Sequence, residues 1–461
     1  MSHRKKKGSA LVQALLTVVI ILMVLTSGLL IYLCLNMADG PSDPAAQAPS
    51  TAQTLPGTVP QTTEPLPTQT ETVPPTVVST VKLGAMGDVL LHTPFFEAQY
   101  HAIGNLGNGQ YDFSDIFKYI KGHITDLDYA VANMETTLCG TDNGFPYAGY
   151  PHFNCPDQIV YDARDAGFDM FTTANNHAYD TTMVGLKRTV ETIRGAGMAS
   201  IGTMLTAEEP KFAIQEVGGI KIGMLSYTYA DGVTGDGRPI LNKNSSVAKA
   251  GLVNFFTYSN LTGFYSQVEE YLAQMKAAGA EATVLFIHWG KEYQIGEAGD
   301  TQKQMAQKLC DLGVDVIIGG HPHVIQPIDL LTSSADADHK TFVIYSLGNA
   351  ISNQRRNLIK DTPEGHCEDG VLFTVSFEKL SDGTVRVSDV DALYTWVNKF
   401  RHDGEILEYN ILPLDPETRD RWQTEYLLDD NMLTLAQESY EHTDAILGPG
   451  LELCRAYFAG R

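Results

Sequence analysis

Cationic residues are scarce in this chain. The 32 Lys and Arg stand against 55 Asp and Glu, a formal net charge of −23 over 461 residues. Nucleic acid is excluded as a partner on that ground, because its binders neutralise phosphates with clustered Lys and Arg. Cysteine is sparse as well, with 6 in the chain, so a disulfide framework does not hold the fold together. No internal repeat marks a solenoid. Long apolar runs are absent except for one near the start. What remains is 43% apolar and 19% charged residues, the balance of a chain that buries a large core.

The single long apolar run extends from Ala10 to Leu35 without a charge, behind the basic cluster His3-Arg4-Lys5-Lys6-Lys7. It is long enough to cross a bilayer. Its basic flank predicts a cytoplasmic N-terminus and an extracellular location for everything after Asn36. Ala46-Gln47-Ala48 resembles a signal-peptidase site, but the run exceeds an ordinary signal core and the site lies far downstream, so an uncleaved single-pass anchor in the cell membrane is expected. Tyr32 and Leu33 are bulky where a lipobox needs small residues, and Cys34 reads as a cysteine of the membrane helix. The following Pro-, Thr- and Gln-rich segment buries no core and stays extended, as a stalk does. The expected division is a basic tail over 1–9, an anchor over 10–36, a stalk over 37–80, a folded domain over 81–412 and a helical extension over 413–461.

From Val81 the pattern alternates short β-branched runs with amphipathic stretches. Strands are expected at Val81–Met86, Tyr129–Ala132, Phe168–Ala174, Ala282–Ile287, Val314–Ile318 and Thr341–Tyr345. Helices are expected at Phe113–Ile124, Gln158–Ala166, Thr182–Arg194, Leu261–Ala278 and Gln302–Leu312. Ile214–Val217 and Ile220–Tyr227 read as a hairpin about Gly218-Gly219, and Val371–Phe377 with Val385–Leu393 as an antiparallel pair. The fold class is therefore α/β, with helices covering sheets on both sides. Cys139 and Cys155 bracket a Gly- and Pro-containing loop, where one disulfide is open in an oxidising compartment.

Polar clusters follow these strands: Gly87-Asp88, Asn133-Met134-Glu135, Asn175-Asn176-His177 with Asp180, His288-Trp289-Gly290 and Gly320-His321-Pro322-His323. In an open α/β sheet such residues gather beyond the carboxyl ends of the strands, where ligands bind. Asp, Glu, Asn and His without Cys are donors for hard or borderline divalent ions. Asp180 lies within reach of His177 to orient its ring. An extended backbone would point His321 and His323 the same way, with Pro322 stiffening the spacing.

These clusters, with Glu292-Tyr293, Val324-Ile325-Gln326-Pro327 and Ser346-Leu347-Gly348-Asn349, resemble the bacterial capsule-synthesis proteins of the CapA type, linked to poly-γ-glutamate biosynthesis. The resemblance covers about Lys82 to Ile351. It implies a four-layer fold like that of the calcineurin-like metallophosphoesterases, a β-sandwich flanked by helices, holding two divalent metals (Mn, Fe or Zn). It further implies that Asp88, Asn176, His288, His321 and His323 are metal ligands, that Glu135 takes the bridging position, and that His177 with Asp180 serves acid catalysis. Phosphoesterases carry a His two residues after the first Asp. Leu90 stands there, which makes His92 the nearest substitute. Water activated by the metals would attack an electrophilic phosphorus or carbonyl, and Arg355 and Arg356 are candidates to clamp an anionic substrate. The expected partners are an anionic polymer such as poly-γ-glutamate, the membrane, and subunits of a membrane synthase. A non-catalytic polymer-binding or scaffold subunit, and a general surface phosphoesterase, are the alternatives.

Overall fold

The computed structural model describes residues 74–97, 99–100, 103–242, 246–249, 251–356, 359, 366–402 and 406–461. The expected basic tail, anchor and stalk up to residue 73 lie outside the described residues. Among the described residues no helix is long and apolar enough to cross a membrane.

The described chain begins with β1 (Val77–Leu90), β2 (Tyr129–Met134), α1 (Gln158–Ala166), β3 (Met170–Thr172), α2 (Thr182–Gly195) and β4 (Ala199–Ile201). These four strands pair in parallel in that order. A hairpin of β5 (Phe212–Val217) and β6 (Ile220–Tyr229) opens a second sheet. It continues through β7 (Phe255–Phe256), α3 (Leu261–Ala277), β8 (Ala282–His288), α4 (Asp300–Asp311), β9 (Val316–Gly320), β10 (Ile325–Thr332) and β11 (Lys340–Leu347). The order across it is β7-β6-β8-β9-β11-β10, with β5 also on β6. The chain then returns to the first sheet with β12 (Asn349–Ser352), β13 (Asp369–Leu380), β14 (Val385–His402) and β15 (Ile406–Pro413), and closes with α5 (Asp430–Ala459). The first sheet reads β15-β14-β13-β1-β2-β3-β4, with β12 on the end of β1.

The near-continuous apolar runs follow from burial on both faces of each sheet. Leu83, Ala85 and Val131 of the first sheet meet Met224, Val284, Phe286 and Ile318 of the second. The alternate residues point outward. Ala130 and Ala132 pack on Ile159 and Ala163 of α1, while Leu285 and Ile287 pack on Val268 of α3 and Met305 and Leu309 of α4. Helix, sheet, sheet and helix thus form the expected layers. Each fully buried Leu or Ile contributes about 1.5–3 kcal/mol.

Three local expectations change. Phe113–Ile124 is not one helix but a 3-10 turn at Ser114–Phe117 followed by a short helix at Lys121–Thr125. Tertiary partners hold the segment: Asp162 Oδ2 accepts from Phe113 N at 2.7 Å, and Asn410 Nδ2 donates at 2.9 Å to the Asp115 carbonyl, which a continuous helix would pair with Tyr119 N. Cys139 and Cys155 are buried free thiols rather than a bridge. Cys155 packs in the core beside Ile159. The region after Pro413 reaches the inter-sheet core through Ala436, Leu447, Leu451 and Cys454 of α5. Contact with β10 is close enough that a Cβ on Gly450 would lie 2.2 Å from the Ile328 carbonyl oxygen.

Candidate metal centre

The ends of β1, β2, β8 and β9 come together in register, Asp88 opposite Asn133 and His288 opposite Gly320. At the tip of β1 the chain crosses the Gly348 turn so closely that a Cβ on Gly87 would lie 1.9 Å from the Gly348 oxygen. Glycine is required there, and the close approach lets Asp88 N donate to that oxygen at 3.2 Å.

The side chains form two donor groups that share Glu135. In one, His288 Nε2 lies 3.3 Å from Glu135 Oε1, 3.1 Å from His321 Nδ1 and 2.8 Å from Asn176 Oδ1. In the other, His323 Nδ1 lies 3.2 Å from Asp88 Oδ2 and 3.9 Å from Glu135 Oε2. None of these six residues is more than 3% exposed. His321 and His323 therefore serve different halves of the centre instead of pointing the same way. The cause is backbone geometry: both adopt positive φ, 97° and 57°, uncommon for residues with a Cβ and typical of functional sites. Tyr293 N holds the turn by donating to the Pro322 carbonyl at 2.8 Å.

Electrostatics fit a pair of cations. Both side-chain oxygens of Glu135 are buried without a hydrogen-bond donor, so an ionised Glu135 needs a cation beside it. Burial and the neighbouring Asp88 charge push the Glu135 carboxyl well above its ordinary range. Burial also acts upward on Asp88, but His323, His288 and Asn133 outweigh it and hold this carboxyl at about 2. Burial brings His288 down to about 3, so its imidazole is neutral and offers a lone pair. Two carboxylates, neutral imidazoles and a carboxamide oxygen are the donors two divalent ions need.

Beside this centre stands His177. Its Nδ1 is 2.7 Å from Asp180 Oδ2, and Phe153 N donates to the same oxygen at 2.7 Å. Asn242 Nδ2 donates to Asp180 Oδ1 at 2.9 Å. The carboxylate thus fixes the ring with Nδ1 as donor and leaves Nε2 to exchange protons.

Other expected site residues lie apart. His92 belongs to neither donor group: its Nδ1 is 3.2 Å from the Leu90 carbonyl and 3.4 Å from Asn353 N. Arg355 is buried and donates to the Val397 carbonyl. Arg356 pairs with Glu368 at 2.6 Å and Glu438 at 3.2 Å. Each guanidinium group has partners within the protein, while Arg355 Nε and Nη2 and Arg356 Nη2 are buried without one. Three asparagines carry weight that the sequence did not assign to them. Asn133 Nδ2 donates to Asp88 Oδ1 at 2.7 Å, Asn349 Oδ1 is 3.1 Å from His323 Nδ1, and Asn242 supports Asp180. Asn133 and Asn349 stand inside recognisable motifs; Asn242 follows a three-residue strand and has no such signal.

Residues 82–354, which contain every ligand of both donor groups, match the family described as bacterial capsule synthesis protein PGA_cap. The chain belongs to this family. It is similar to the PGA biosynthesis protein CapA of Bacillus subtilis (strain 168), with 24% identity over 335 residues, 72% of this chain and 77% of that protein. It is also similar to the capsule biosynthesis protein CapA of Bacillus anthracis, with 25% identity over 256 residues, 55% of this chain and 57% of that protein. Among solved structures, calcineurin-like phosphoesterase YfkN from Bacillus subtilis aligns over 79% of this chain and 100% of that chain, with a TM-score of 0.41 and 18% identity.

Proposed function

We propose that this PGA_cap family member is a membrane-anchored extracellular protein that acts in the synthesis, export or attachment of an anionic capsule polymer such as poly-γ-glutamate, through a hydrolytic centre of two divalent metals. One observation carries the metal reading: Glu135 is fully buried, accepts no hydrogen bond, and belongs to both donor groups. The role in capsule synthesis draws on the family and on the names of the two Bacillus relatives. The location draws on the basic flank and the apolar run from Ala10 to Leu35.

Asp88 and His323 would hold one ion, and Asn176, His288 and His321 the other, with Glu135 common to both. Bound ions supply positive charge that activates water and offsets the charge developing on phosphorus or carbonyl. His177 donates a proton from Nε2 to the departing oxygen or nitrogen, and Asp180 keeps the ring in the required tautomer. Asn133 and Asn349 fix Asp88 and His323 in place. The acidic surface repels a polyanion at long range, so substrate capture depends on the ions themselves.

A second reading, a non-catalytic polymer-binding or synthase subunit, draws on the depth of the centre, whose ligands are at most 3% exposed. The full-length chain in detergent, assayed for metal content and for turnover of phosphoesters, γ-glutamyl amides and poly-γ-glutamate, separates the readings. Metal and turnover that vanish together in His321→Ala/His323→Ala support the hydrolase. Bound metal and bound polymer without turnover support the subunit, turnover confined to small phosphoesters a general phosphoesterase, and a metal-free chain after growth with excess Mn, Fe and Zn overturns the centre.

A further inference from the structure

We propose that His366, Asp369 and His442 form a third cation site, separate from the Glu135 centre, which fastens α5 to the start of β13. The three side chains present His366 Nδ1, His442 Nδ1 and an Asp369 oxygen toward one another. Asp369 Oδ2 lies 2.9 Å from His442 Nδ1 and 3.4 Å from His366 Nδ1. A divalent ion with bonds of about 2.0–2.2 Å in tetrahedral geometry separates its ligands by roughly 3.3 Å. The spacing also matches the Glu135 centre, where ligand atoms stand 3.1, 3.2 and 3.3 Å apart.

Hydrogen bonding pairs His442 Nδ1 with Asp369 Oδ2 at 2.9 Å but leaves His366 Nδ1 without a partner. The two imidazoles stack face to face, with centroids 3.7 Å apart and planes within 9°. Two imidazolium ions at that distance repel. His366 Nδ1 is buried and forms no hydrogen bond, although it faces the carboxylate. A cation between the rings and the carboxylate would satisfy all three groups once the rings tilt from the parallel stack.

The surroundings are arranged for ligation. Ser439 Oγ donates to Asp369 Oδ1 at 2.7 Å, orienting the carboxylate so that Oδ2 faces both rings, with His442 Nδ1 at 2.9 Å. Ser439 and His442 are three residues apart on α5 and share a face. The His366 and His442 side chains are 17% and 22% exposed, which leaves room for water to complete the coordination. Two imidazoles and one carboxylate suit Zn²⁺ and neighbouring divalent ions. The same segment braces the first centre, because the Cys367 carbonyl accepts from Asn349 Nδ2 at 2.8 Å and Asn349 meets His323.

The test is Zn²⁺ content of the full-length chain in detergent after chelator treatment, reloading and removal of free ion. The wild type is expected to retain one equivalent more than His366→Ala/His442→Ala, and His321→Ala/His323→Ala to retain a site that His366→Ala removes. Equal Zn²⁺ in the wild type and the His366→Ala/His442→Ala variant overturns the proposal. If that variant does not fold, the thermal midpoint of His321→Ala/His323→Ala decides: a rise on adding Zn²⁺ that Ser439→Ala diminishes is expected, because an ion bound only to the native state stabilises it. No rise overturns the site. Failure of the Glu135 centre has a different signature, one equivalent in the wild type and none in His366→Ala/His442→Ala.

Discussion

Asn349 meets His323 twice, through Oδ1 at 3.1 Å from the ring Nδ1 and through Nδ2, which donates to the His323 carbonyl at 3.3 Å. The carboxamide thereby touches both the ring nitrogen that faces Asp88 and the carbonyl of the left-handed His323 backbone. Asn349→Leu, with the same branching of side-chain heavy atoms but no polar ones, is expected to weaken metal affinity by about 10–100-fold and to cost about 1–3 kcal/mol for the groups left unpaired. Competition with a chromophoric chelator measures the first, urea unfolding of the metal-free protein the second.

His92 governs an acid-side loss of stability. Burial is the main cause holding its imidazole down, to about 4 from the usual 6.5. The unfolded chain therefore binds a proton that the folded chain refuses between those values. Stability is complete above about 6.5 and falls as pH drops toward about 4, by roughly 3 kcal/mol in total. His92→Phe, which keeps a ring against Phe153, is expected to lose about 2 kcal/mol less than the wild type between pH 7 and 5. Equal slopes in urea midpoint against pH for the two proteins would contradict this.

Asp180 acts through His177. Asp180→Asn keeps the shape and one acceptor oxygen but removes the negative charge beside the ring, and His177→Asn removes the proposed acid. Each is expected to lower kcat by about 100-fold or more, with unchanged metal content and little change in KM. A parallel loss of bound metal would place His177 among the ligands instead.

Gly87→Ala tests the closeness of the β1 tip to the Gly348 turn. The added methyl meets a backbone oxygen at 1.9 Å, which cannot move aside as a flexible side chain can. A loss of at least about 1–3 kcal/mol is expected, together with weaker metal retention because Asp88 is the next residue. Differential scanning calorimetry and elemental analysis of the same preparation read both effects.

The gathering of these side chains was legible in sequence because they follow strands buried on both faces. Apolar runs such as Val284–Ile287 end at a polar residue only where the strand leaves the core, so Asp88, Glu135, Asn176 and His288 declare themselves by position. The opposed directions of His321 and His323 were not legible, since they depend on positive φ values that a residue with a Cβ gives no reason to expect. Asn242 supports Asp180 from a distant segment, and only the tertiary fold brings the pair together. Arg355 and Arg356 looked available from their spacing after Asn349; their engagement depends on Val397, Glu368 and Glu438, which proximity in sequence does not show. The C-terminal segment read as helical and acidic, and the sequence offered no sign that its apolar face reaches the core between the sheets.

That last feature bears on the order in which the molecule is made. Leu447 and Leu451 of α5 share one apolar cluster with Val81 and Leu83 of the first strand, so the space between the sheets stays incomplete until the final helix has been synthesised. Strands laid down earlier wait with their inner faces uncovered, a state prone to association with other chains.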